Sequence, residues 1–596
     1  MYRIMIKKVL SVMAVTVFVL GCAKISSPTG GPRDKEPPVI IKSTPLPQTR
    51  NFKGKEIIIS FNEYVVLDKI NEKFMVSPPM KTKPGIFIRR KNIHVEFDDE
   101  LRDSTTYTFY FQDAIRDLNE GNPINNYQFV FSTGPVIDSL SVTGNVYNAF
   151  NLEVPENTLV LLYGQMADSS VKKQLPDYIT RIEKNGEFRI DNVREGKYRL
   201  YALKDLDNSK NYNLREEEFA FSTEPMEINS AKNYLPVKKD TVPVKAADGK
   251  VTLRPPVEGE YNLILFPPEK KSRYLTSSDR KMPYQLIYTL SIPPDSLKFD
   301  FNIPGAGNDA YFIEKSRNKD TIMVWLTDST LYSQSQIETI INYPFTDSLG
   351  MQIYKQDTIL MRFLAPRATK AKVKRIPYRV NSGLTSGQYG PFKEIILTGT
   401  TPFLQPDTSR IRLYEILKEQ RTAVPVSLIK DSANSCRYIM NADLQQGKSY
   451  LFITEIAAFK SIYGEYSDST GIKFSVRSPD SYGKLILNIS NYEGDRIIHL
   501  LNNSEKLVKE VHMKKDGTLE FPLLEKGFYR CRVIYDLNGD GKWTTGDFDT
   551  GRQPEPVSYY PGELEVKILW EITEPWDIGS FNVKDYKLRS GQKAVR

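Results

Sequence analysis

The feature that most limits the fold of this chain is the recurrence of short strand-like segments, rich in β-branched and aromatic residues, along most of its length. Clear examples are Glu56 to Phe61, Tyr107 to Phe111 and Tyr450 to Ile453. A period of two is typical of half-buried β-strands, and no long stretch keeps the 3.6-residue apolar period of a helix. Since 596 residues are too many for one core, the sequence predicts an all-β protein of about five domains.

An internal duplication supports tandem domains. In both copies a leucine (Leu101 or Leu444) precedes a short polar turn, and a tyrosine (Tyr107 or Tyr450) then opens an alternating strand. The tyrosine after the turn resembles the tyrosine corner of Greek-key sandwiches, in which the hydroxyl bonds the backbone. These residues, together with the strand that ends at Ser60 to Glu63, resemble the bacterial Ig-like domain of S-layer and envelope proteins. The resemblance covers residues 37–134 and again 373–477.

A second duplication has the pattern strand, glycine turn, and strand with an aromatic entry. Residues 186–200 repeat as residues 517–531. The pattern resembles the transthyretin-like or carboxypeptidase-regulatory-like β-sandwich, and it places such sandwiches at 139–225 and 480–565. Residues 245–367 are also strand-rich, as in Tyr261 to Phe266, and we interpret them as a further Ig-like sandwich. The last residues, 566–596, are interpreted as a C-terminal tail.

The N-terminus predicts where the chain resides. A positive segment (Arg3, Lys7 and Lys8) precedes an uninterrupted apolar or small-residue run, Val9 to Leu20, which is long enough for a secretory signal but too short to span a bilayer. The run ends at Cys22 and resembles the lipobox of bacterial lipoproteins. That resemblance implies cleavage after residue 21 and acylation of Cys22. The alternative is an ordinary signal peptide with an accidental cysteine.

Residues 22–36 form a polar, proline- and glycine-rich tether that cannot build a core. Taken whole, the chain resembles the Ig-like-domain lipoproteins of Bacteroidetes-type envelopes, on the tether residues Ser27 to Asp34 and on the segment Asp536 to Pro554. The resemblance implies an outer-membrane lipid anchor. Acidic residues after the cysteine accompany surface export in such proteins, and Ala23 to Ser27 has none, so we expect the chain to face the periplasm.

One loop has the spacing of an EF-hand-type calcium site, which uses hard oxygen ligands and a glycine at position 6. Gly541 occupies position 6, and the predicted ligands are Asp536, Asn538, Asp540, Lys542 (through its carbonyl), Thr544 and Asp547. The alternative is a turn whose carboxylates only bond their own backbone. The corresponding loop of the first copy, Asp205 to Tyr212, lacks this glycine, so we expect a harder turn and poorer metal binding there.

The sequence lacks enzymatic signatures. Its three histidines, His94, His499 and His512, stand singly, and no metal-binding cluster or nucleophile motif accompanies them. Adjacent acids such as Asp98 and Asp99 are better explained as solvated turns than as acid/base pairs. The net charge is only +8 and no basic stripe with interleaved aromatics occurs, so nucleic acid is not an expected partner. We therefore expect no enzymatic activity.

The remaining candidates are aromatic residues and cysteines. Among the tryptophans near the C-terminus, Trp543 and Trp570 are expected to pack the last sandwich, whereas Trp576 is the best candidate for an exposed binding residue. Cys436 and Cys531 could form a disulfide, but two free buried thiols are favoured because a chain of this length does not need one.

These observations predict a non-enzymatic outer-envelope lipoprotein that acts as a multi-domain scaffold or adhesion protein. Its partners would be envelope proteins or glycans. The first alternative is a glycan-binding surface lipoprotein, which requires an exposed aromatic platform. The second is a hydrolase, which requires a deep pocket with a carboxylate pair or a histidine–carboxylate pair.

Overall fold

The computed structural model describes residues 34–222, 224–230, 260–269, 272–293, 299–307, 309–316, 320–347, 350–364, 378–390 and 394–579. The predicted signal peptide 1–21, Cys22 and most of the tether lie outside these residues. Strands dominate, and each helix in the described part has a single turn. The prediction of an all-β chain of tandem sandwiches is confirmed. None of the described helices has the length and apolar character needed to cross a bilayer.

Domain 1 packs a four-stranded sheet (order β1-β2-β6-β5) against a three-stranded sheet (β4-β7-β9), with β3 and β8 paired beside them. A one-turn helix, Ile70–Lys73, follows β3. The strands are β1 (Ile40–Thr44), β2 (Glu56–Phe61), β3 (Val65–Leu67), β4 (Met75–Ser77), β5 (Gly85–Arg89), β6 (Asn92–Glu96), β7 (Thr106–Gln112), β8 (Ile115–Asp117) and β9 (Tyr127–Ser132).

Domain 2 has two sheets, of order β13-β10-β17 and β12-β11-β14-β15, and β16 also pairs with β14. A one-turn helix, Ser170–Lys173, lies between β11 and β12. The strands are β10 (Leu140–Asn148), β11 (Leu159–Tyr163), β12 (Tyr178–Arg181), β13 (Glu187–Val193), β14 (Gly196–Lys204), β15 (Glu218–Phe221), β16 (Met226–Ile228) and β17 (Glu260–Leu265).

Domain 3 pairs a sheet of order β18-β19-β22-β21 with one of order β20-β23-β24. A one-turn helix, Ser329–Tyr332, follows β22, and Asp328 caps its N-terminus by accepting the N–H of Thr330. The strands are β18 (Leu275–Met282), β19 (Gln285–Leu290), β20 (Asp300–Asn302), β21 (Tyr311–Lys315), β22 (Thr321–Leu326), β23 (Gln336–Thr346) and β24 (Gln352–Arg362).

Domain 4 has sheets of order β25-β27-β31-β30 and β26-β33-β32-β28-β29. A 3₁₀ turn, Thr408–Arg410, precedes β28. The strands are β25 (Val380–Asn381), β26 (Gly387–Tyr389), β27 (Ile395–Gly399), β28 (Ile411–Leu417), β29 (Gln420–Val424), β30 (Val426–Lys430), β31 (Arg437–Ala442), β32 (Ser449–Thr454) and β33 (Thr470–Val476).

Domain 5 repeats the topology of domain 2, with sheets of order β37-β34-β41 and β36-β35-β38-β39, and with β40 on β38. A 3₁₀ turn, Pro479–Ser481, precedes it. The strands are β34 (Gly483–Ser490), β35 (Arg496–Asn502), β36 (Leu507–Met513), β37 (Gly517–Leu524), β38 (Gly527–Tyr535), β39 (Val557–Tyr559), β40 (Leu564–Val566) and β41 (Glu571–Asp577).

In each pair of duplicated domains, corresponding tyrosines bond the backbone through their hydroxyl groups. In domains 1 and 4 the hydroxyls of Tyr107 and Tyr450 accept backbone N–H bonds from Arg102 (2.9 Å) and Gln445 (2.7 Å). In domains 2 and 5 two other tyrosines, Tyr198 and Tyr529, donate to the carbonyl four residues earlier, at 3.0 and 2.8 Å. The predicted tyrosine corners are therefore confirmed, since each phenol stays hydrogen-bonded while its ring is buried.

Two predicted boundaries are wrong. The sandwich placed at 139–225 continues into β17, which pairs in parallel with β10, so Tyr261 to Phe266 belongs to domain 2 rather than to a 245–367 sandwich. Likewise β41 pairs in parallel with β34, so the supposed tail 566–596 contributes the last strand of domain 5. Gly144 permits the first pairing, because a Cβ there would lie 2.0 Å from the Tyr261 carbonyl oxygen.

Cys436 in domain 4 and Cys531 in domain 5 are buried free thiols. This outcome agrees with the favoured prediction. Burial raises the pKa of the Cys436 thiol to about 12. The thiol is therefore protonated at neutral pH and behaves as a small apolar group.

Candidate functional site: the carboxylate loops of domains 2 and 5

The calcium-type loop of domain 5 begins where β38 ends, and its first acid is buried. One oxygen of Asp536, Oδ1, accepts backbone N–H bonds from Gly539 (2.7 Å) and Asp540 (3.2 Å), and Oδ2 accepts one from Gly541 (2.8 Å). Gly539 and Gly541 have φ of 72° and 74°, a backbone region that favours glycine. The carboxylate therefore organises a tight turn in which successive N–H groups point inward.

The next predicted ligands lie together in this turn. Asn538 donates from Nδ2 to Thr544 Oγ1 (2.7 Å), and Thr544 Oγ1 is 3.3 Å from Asp540 Oδ2. Asp540 Oδ1 accepts the N–H of Lys542 at 2.8 Å. Asn538, Asp540 and Thr544 are thus joined by side-chain hydrogen bonds, and with Asp536 they carry oxygens of the hard type that Ca²⁺ prefers.

Asp547, the predicted position 12, lies in a different turn. Its backbone pairs with Arg552, and its Oδ1 accepts the N–H of Asp549 at 3.1 Å. A residue that the motif does not include, Glu555, closes the loop instead. Glu555 Oε1 accepts from Leu537 N–H (2.7 Å), and Oε2 accepts from Thr544 N–H (2.9 Å).

Burial governs the electrostatics at Glu555. Loss of hydration raises the pKa of this carboxyl group and the nearby Asp536 carboxylate raises it further, whereas the backbone N–H bonds oppose the shift. The carboxyl group is only 5% exposed. Its role is to hold the two sides of the loop through backbone bonds.

The equivalent loop of domain 2 is built in the same way. Glu217 accepts from the N–H groups of Leu206 (3.1 Å) and Leu214 (3.2 Å), as Glu555 does in domain 5. Carboxylate oxygens of Asp205, Asp207 and Glu217 lie within 4.8 Å of one another. Burial raises the pKa of both Asp205 and Glu217.

The turn of domain 2 forms without the glycine, with non-glycine residues in left-handed conformation. Lys210 takes the position of Gly541 with φ 62°, and Asn208 takes that of Gly539 with φ 63°. The backbone bonds to Asp205 compensate for the left-handed conformation of the two residues. Whether either loop binds metal stays a prediction.

The two loops also differ in length. The loop of domain 5 is longer between Thr544 and Glu555, and this extra segment contacts domain 2. The ring of Phe548 packs edge-on against the aromatic core of domain 2, with centroids 5.0 Å from Phe219 and 5.3 Å from Phe221. Two further rings, those of Tyr201 and Tyr212, pack in the same hydrophobic cluster. We call residues 543–553 the docking segment.

Polar contacts surround the docked ring. Gln553, 5% exposed, donates to the Phe221 carbonyl at 2.7 Å, and Thr545 donates to the Pro267 carbonyl at 2.5 Å. The Arg552 guanidinium pairs with Glu269 at 2.8 Å, and Lys172 pairs with Asp549. These bonds give partners to backbone carbonyls of domain 2 and to side chains of the docking segment. The contact therefore combines an apolar centre with a polar rim.

A second apolar contact extends the same interface. Trp543 is half-buried against Phe150 of domain 2, with ring centroids 5.1 Å apart, and its Nε1 donates to the Glu555 carbonyl at 3.0 Å. The Arg532 guanidinium lies 3.9 Å over the Phe150 ring. Trp543 therefore packs domain 5 against domain 2 as well as the loop itself, a role that its local sequence does not indicate.

The structure reverses the expected exposure of the other two tryptophans. Trp576 is 3% exposed, because β41 points it into the core of domain 5, where it packs against Tyr560. Trp570, which was expected to pack the sandwich, is 58% exposed. The prediction of Trp576 as an exposed binding residue is therefore wrong.

Two family models match parts of the chain. Residues 34–133 match a model described as a bacterial Ig-like domain, and residues 158–205 match one described as polysaccharide lyase family 4, domain II. The prediction of Ig-like sandwich domains is confirmed. No curated protein matches the chain.

Several solved structures resemble the chain at low identity. Native alpha-2-macroglobulin from Escherichia coli, domains MG0-NIE-MG1, is 11% identical, covers 49% of this chain and 97% of its own, and has a TM-score of 0.19. The S-layer protein rSbsC(31-844) is 10% identical over 89% of this chain and 64% of its own, with a TM-score of 0.13. The Bacillus anthracis TIE protein is 11% identical over 51% and 57%, with a TM-score of 0.12. Scores this low carry no argument about function.

Proposed function

We propose that this chain is a non-enzymatic lipoprotein of the outer envelope whose five sandwiches form a scaffold for other envelope components. The observation that carries the proposal is the insertion of Phe548 of domain 5 into the aromatic cluster of domain 2. Such a contact joins domains that are distant in sequence. A scaffold needs this property, because partners bound to separate domains are then held at fixed spacing.

Contacts between consecutive domains add to this arrangement. Between domains 3 and 4, Tyr284 stacks on Tyr463 with centroids 4.0 Å apart, and Glu314 accepts the Ser435 N–H at 2.6 Å. Between domains 1 and 2, Ser77 accepts the Ile179 N–H at 3.1 Å. Ordered junctions of this kind reduce the relative motion that short linkers alone would allow.

Lipidation at Cys22 is the part of the proposal that gives the scaffold its location. Cys22→Ser should yield unprocessed or soluble protein, because several acyl chains are needed for durable anchoring and each buried CH₂ adds about 0.8 kcal/mol. Detergent-phase partitioning and membrane fractionation of cells measure the change. Cys436→Ser, which alters a buried thiol of domain 4, is the matched control and should fractionate like the parent.

If the Cys22→Ser protein is processed and partitions with membranes as the parent does, the lipid anchor is refuted. Protease shaving of intact cells tests the proposed periplasmic orientation separately, since it should leave the parent protein uncut. Capture of cross-linked parent protein, compared with the Cys22→Ser variant, then identifies the envelope components that need the anchored form.

Calcium binding by the domain 5 loop is a further part of the proposal, supported by the hydrogen-bonded turn that holds the side chains of Asp536, Asn538, Asp540 and Thr544. An ion that binds only the folded state stabilises it by about 2.7 kcal/mol at a hundredfold excess over Kd. The full chain should therefore melt at higher temperature in millimolar calcium than in chelator. Asp540→Ala should abolish the calcium shift of the domain 5 transition, whereas Asp207→Ala in domain 2 should leave that shift as in the parent. Identical melting of the parent in both solutions would reduce the loop to a simple turn.

Glycan binding is the second candidate function. Trp576 no longer supports it, but the exposed ring of Trp570 does, with Lys567 Nζ lying 5.0 Å from its centroid. The family model that matches residues 158–205 is named for polysaccharide lyases.

A further inference from the structure

A cleft of about 1000 Å³ lies between domains 1 and 2. Its walls come from the end of β7 and the start of β9 on one side, and from β12, β13 and the loop before β11 on the other. A volume of this size lies at the upper end of the range of small-molecule and oligosaccharide-sized sites. No residue of the calcium-type loops lines it.

The cleft is preformed, because hydrogen bonds fix the two domains beside it. Asn192 donates from Nδ2 to Thr108 Oγ1 at 2.9 Å, and Gln128 lies 3.4 Å from an oxygen of Asp191. As a consequence β7 is buried on both faces, although it is an ordinary sandwich strand. A ligand would therefore enter without a domain movement, which keeps the cost of binding low.

Three amide side chains that line the cleft have the same unusual backbone. Gln112, Asn126 and Asn157 have φ of 51°, 52° and 52°. A β-bulge between Tyr110 and Gln112 shifts the register of β7 against β9 at this point. Within the described part of the chain none of the three amides makes a side-chain hydrogen bond. A bulge of this kind re-aims the Gln112 side chain, a device that is found beside ligand sites.

Two polar atoms buried behind the wall of the cleft lack hydrogen-bond partners. The buried hydroxyl of Tyr110 finds no hydrogen-bond partner of normal geometry, although the backbone of Asp191 lies beside it. Arg181 Nε is also buried without a partner. Burial lowers the pKa of this guanidinium, and Glu72 and Asp205 are the acids that act on it.

The charges of the lining nearly cancel. Four acids (Asp113, Glu156, Glu183 and Asp191) face three bases (Arg181, Lys184 and Arg189). Two of the acids are already paired: Arg189 bonds Asp191 at 2.7 Å, and Lys73 and Arg116 hold Asp113 at 3.0 and 2.8 Å. A strongly charged ligand would find no excess of opposite charge in the cleft. A neutral polar ligand does not need one.

We propose that this cleft binds a neutral oligosaccharide. Each free amide offers both a donor and an acceptor, which suits the hydroxyls of a sugar ring. The half-buried ring of Tyr127 supplies the apolar surface on which sugar C–H groups pack. The inference goes beyond the proposed scaffold function, since binding here requires neither the lipid anchor nor the contact between domains 2 and 5.

The test is isothermal titration of the full-length protein in detergent with defined hexasaccharides: cellohexaose, maltohexaose, xylohexaose and mannohexaose. Oligogalacturonate of the same length is the anionic comparison. At least one neutral hexasaccharide should bind, and Gln112→Ala with Asn157→Ala should weaken it at least tenfold. Gln388→Ala, an exposed amide in domain 4, is the matched control and should bind as the parent does.

The circular dichroism spectrum of the double variant should match that of the parent, because neither amide has a bonding partner to lose, and its melting temperature should fall slightly, because alanine tolerates φ near 52° less well than asparagine. No binding of any neutral hexasaccharide at millimolar concentration would overturn the proposal. So would binding of oligogalacturonate alone, or equal binding by the parent and the double variant. None of these results bears on the fractionation of Cys22→Ser, so failure here is distinguishable from failure of the scaffold proposal.

Discussion

Phe548→Ala is expected to release the docking segment of domain 5 from domain 2. The variant loses the ring that packs against Phe219 and Phe221 and leaves a gap in the aromatic cluster. Truncation of a buried Phe costs about 3–5 kcal/mol, and the half-buried Phe548 should cost about 2–3 kcal/mol. Since each 1.4 kcal/mol is tenfold, the undocked population should rise by about 30- to 140-fold.

Limited trypsin digestion measures this change, because cleavage after Arg552 requires the segment to leave Glu269. The variant should be cut at this bond much faster than the parent. Phe528→Ala is the matched control, since that ring is 48% exposed in the same domain, and it should leave the rate nearly unchanged. Equal cleavage in the parent and Phe548→Ala would mean that the ring does not hold the two domains together.

Glu555→Ala should destabilise domain 5 by about 3 kcal/mol, because the N–H groups of Leu537 and Thr544 lose their acceptor and each unsatisfied group costs about 1–3 kcal/mol. Glu555→Gln should cost only about 1 kcal/mol, since one amide oxygen still accepts. Burial already penalises the charge and raises the pKa of Glu555, so loss of the charge itself is tolerated.

Differential scanning calorimetry of the full chain resolves the effect as a shift of one transition, which is the appropriate measure in a multi-domain protein. The exposed Glu563→Ala in the same domain is the control. If Glu555→Ala melts like Glu563→Ala, the carboxylate does not organise the loop.

Local pattern was enough to predict much of the fold. The alternation in segments such as Tyr107 to Phe111 depends on neighbours in sequence, and so does the turn that presents Tyr107 and Tyr450 to the backbone. Strand content, the bacterial Ig-like domain and the tyrosine corners could therefore be predicted.

Pairing between distant segments could not be predicted in this way. The parallel partner of β10 is β17, which lies far along the sequence. The position of Trp576 likewise follows from the parallel pairing of β41 with β34. A tryptophan next to Pro575 has no local signal for burial. Its exposure depends on whether the strand that carries it joins a sheet.

The candidate site was predicted only in part. Asp536, Asn538 and Asp540 follow a compact motif, whereas Glu555 lies beyond the end of that motif. Comparison with the loop of domain 2 could have identified Glu555 as the closing residue, because Glu217 closes that shorter loop in the same way. The longer loop of domain 5 has an additional segment, which carries Phe548. The extra residues are best explained by their contacts with domain 2 rather than by the loop itself.

Zero-length carbodiimide cross-linking, read by mass spectrometry, tests most directly whether domain 5 docks on domain 2. The reagent joins an amine to a carboxylate in contact, and the ion pair of Lys172 and Asp549 spans the two domains with side chains that are 38% and 72% exposed. The pair of Lys448 and Glu415 within domain 4, at 2.8 Å, is the positive control. The parent should give both cross-links and Phe548→Ala only the second. A parent protein that gives the Lys448–Glu415 cross-link without the Lys172–Asp549 cross-link would contradict the docked arrangement.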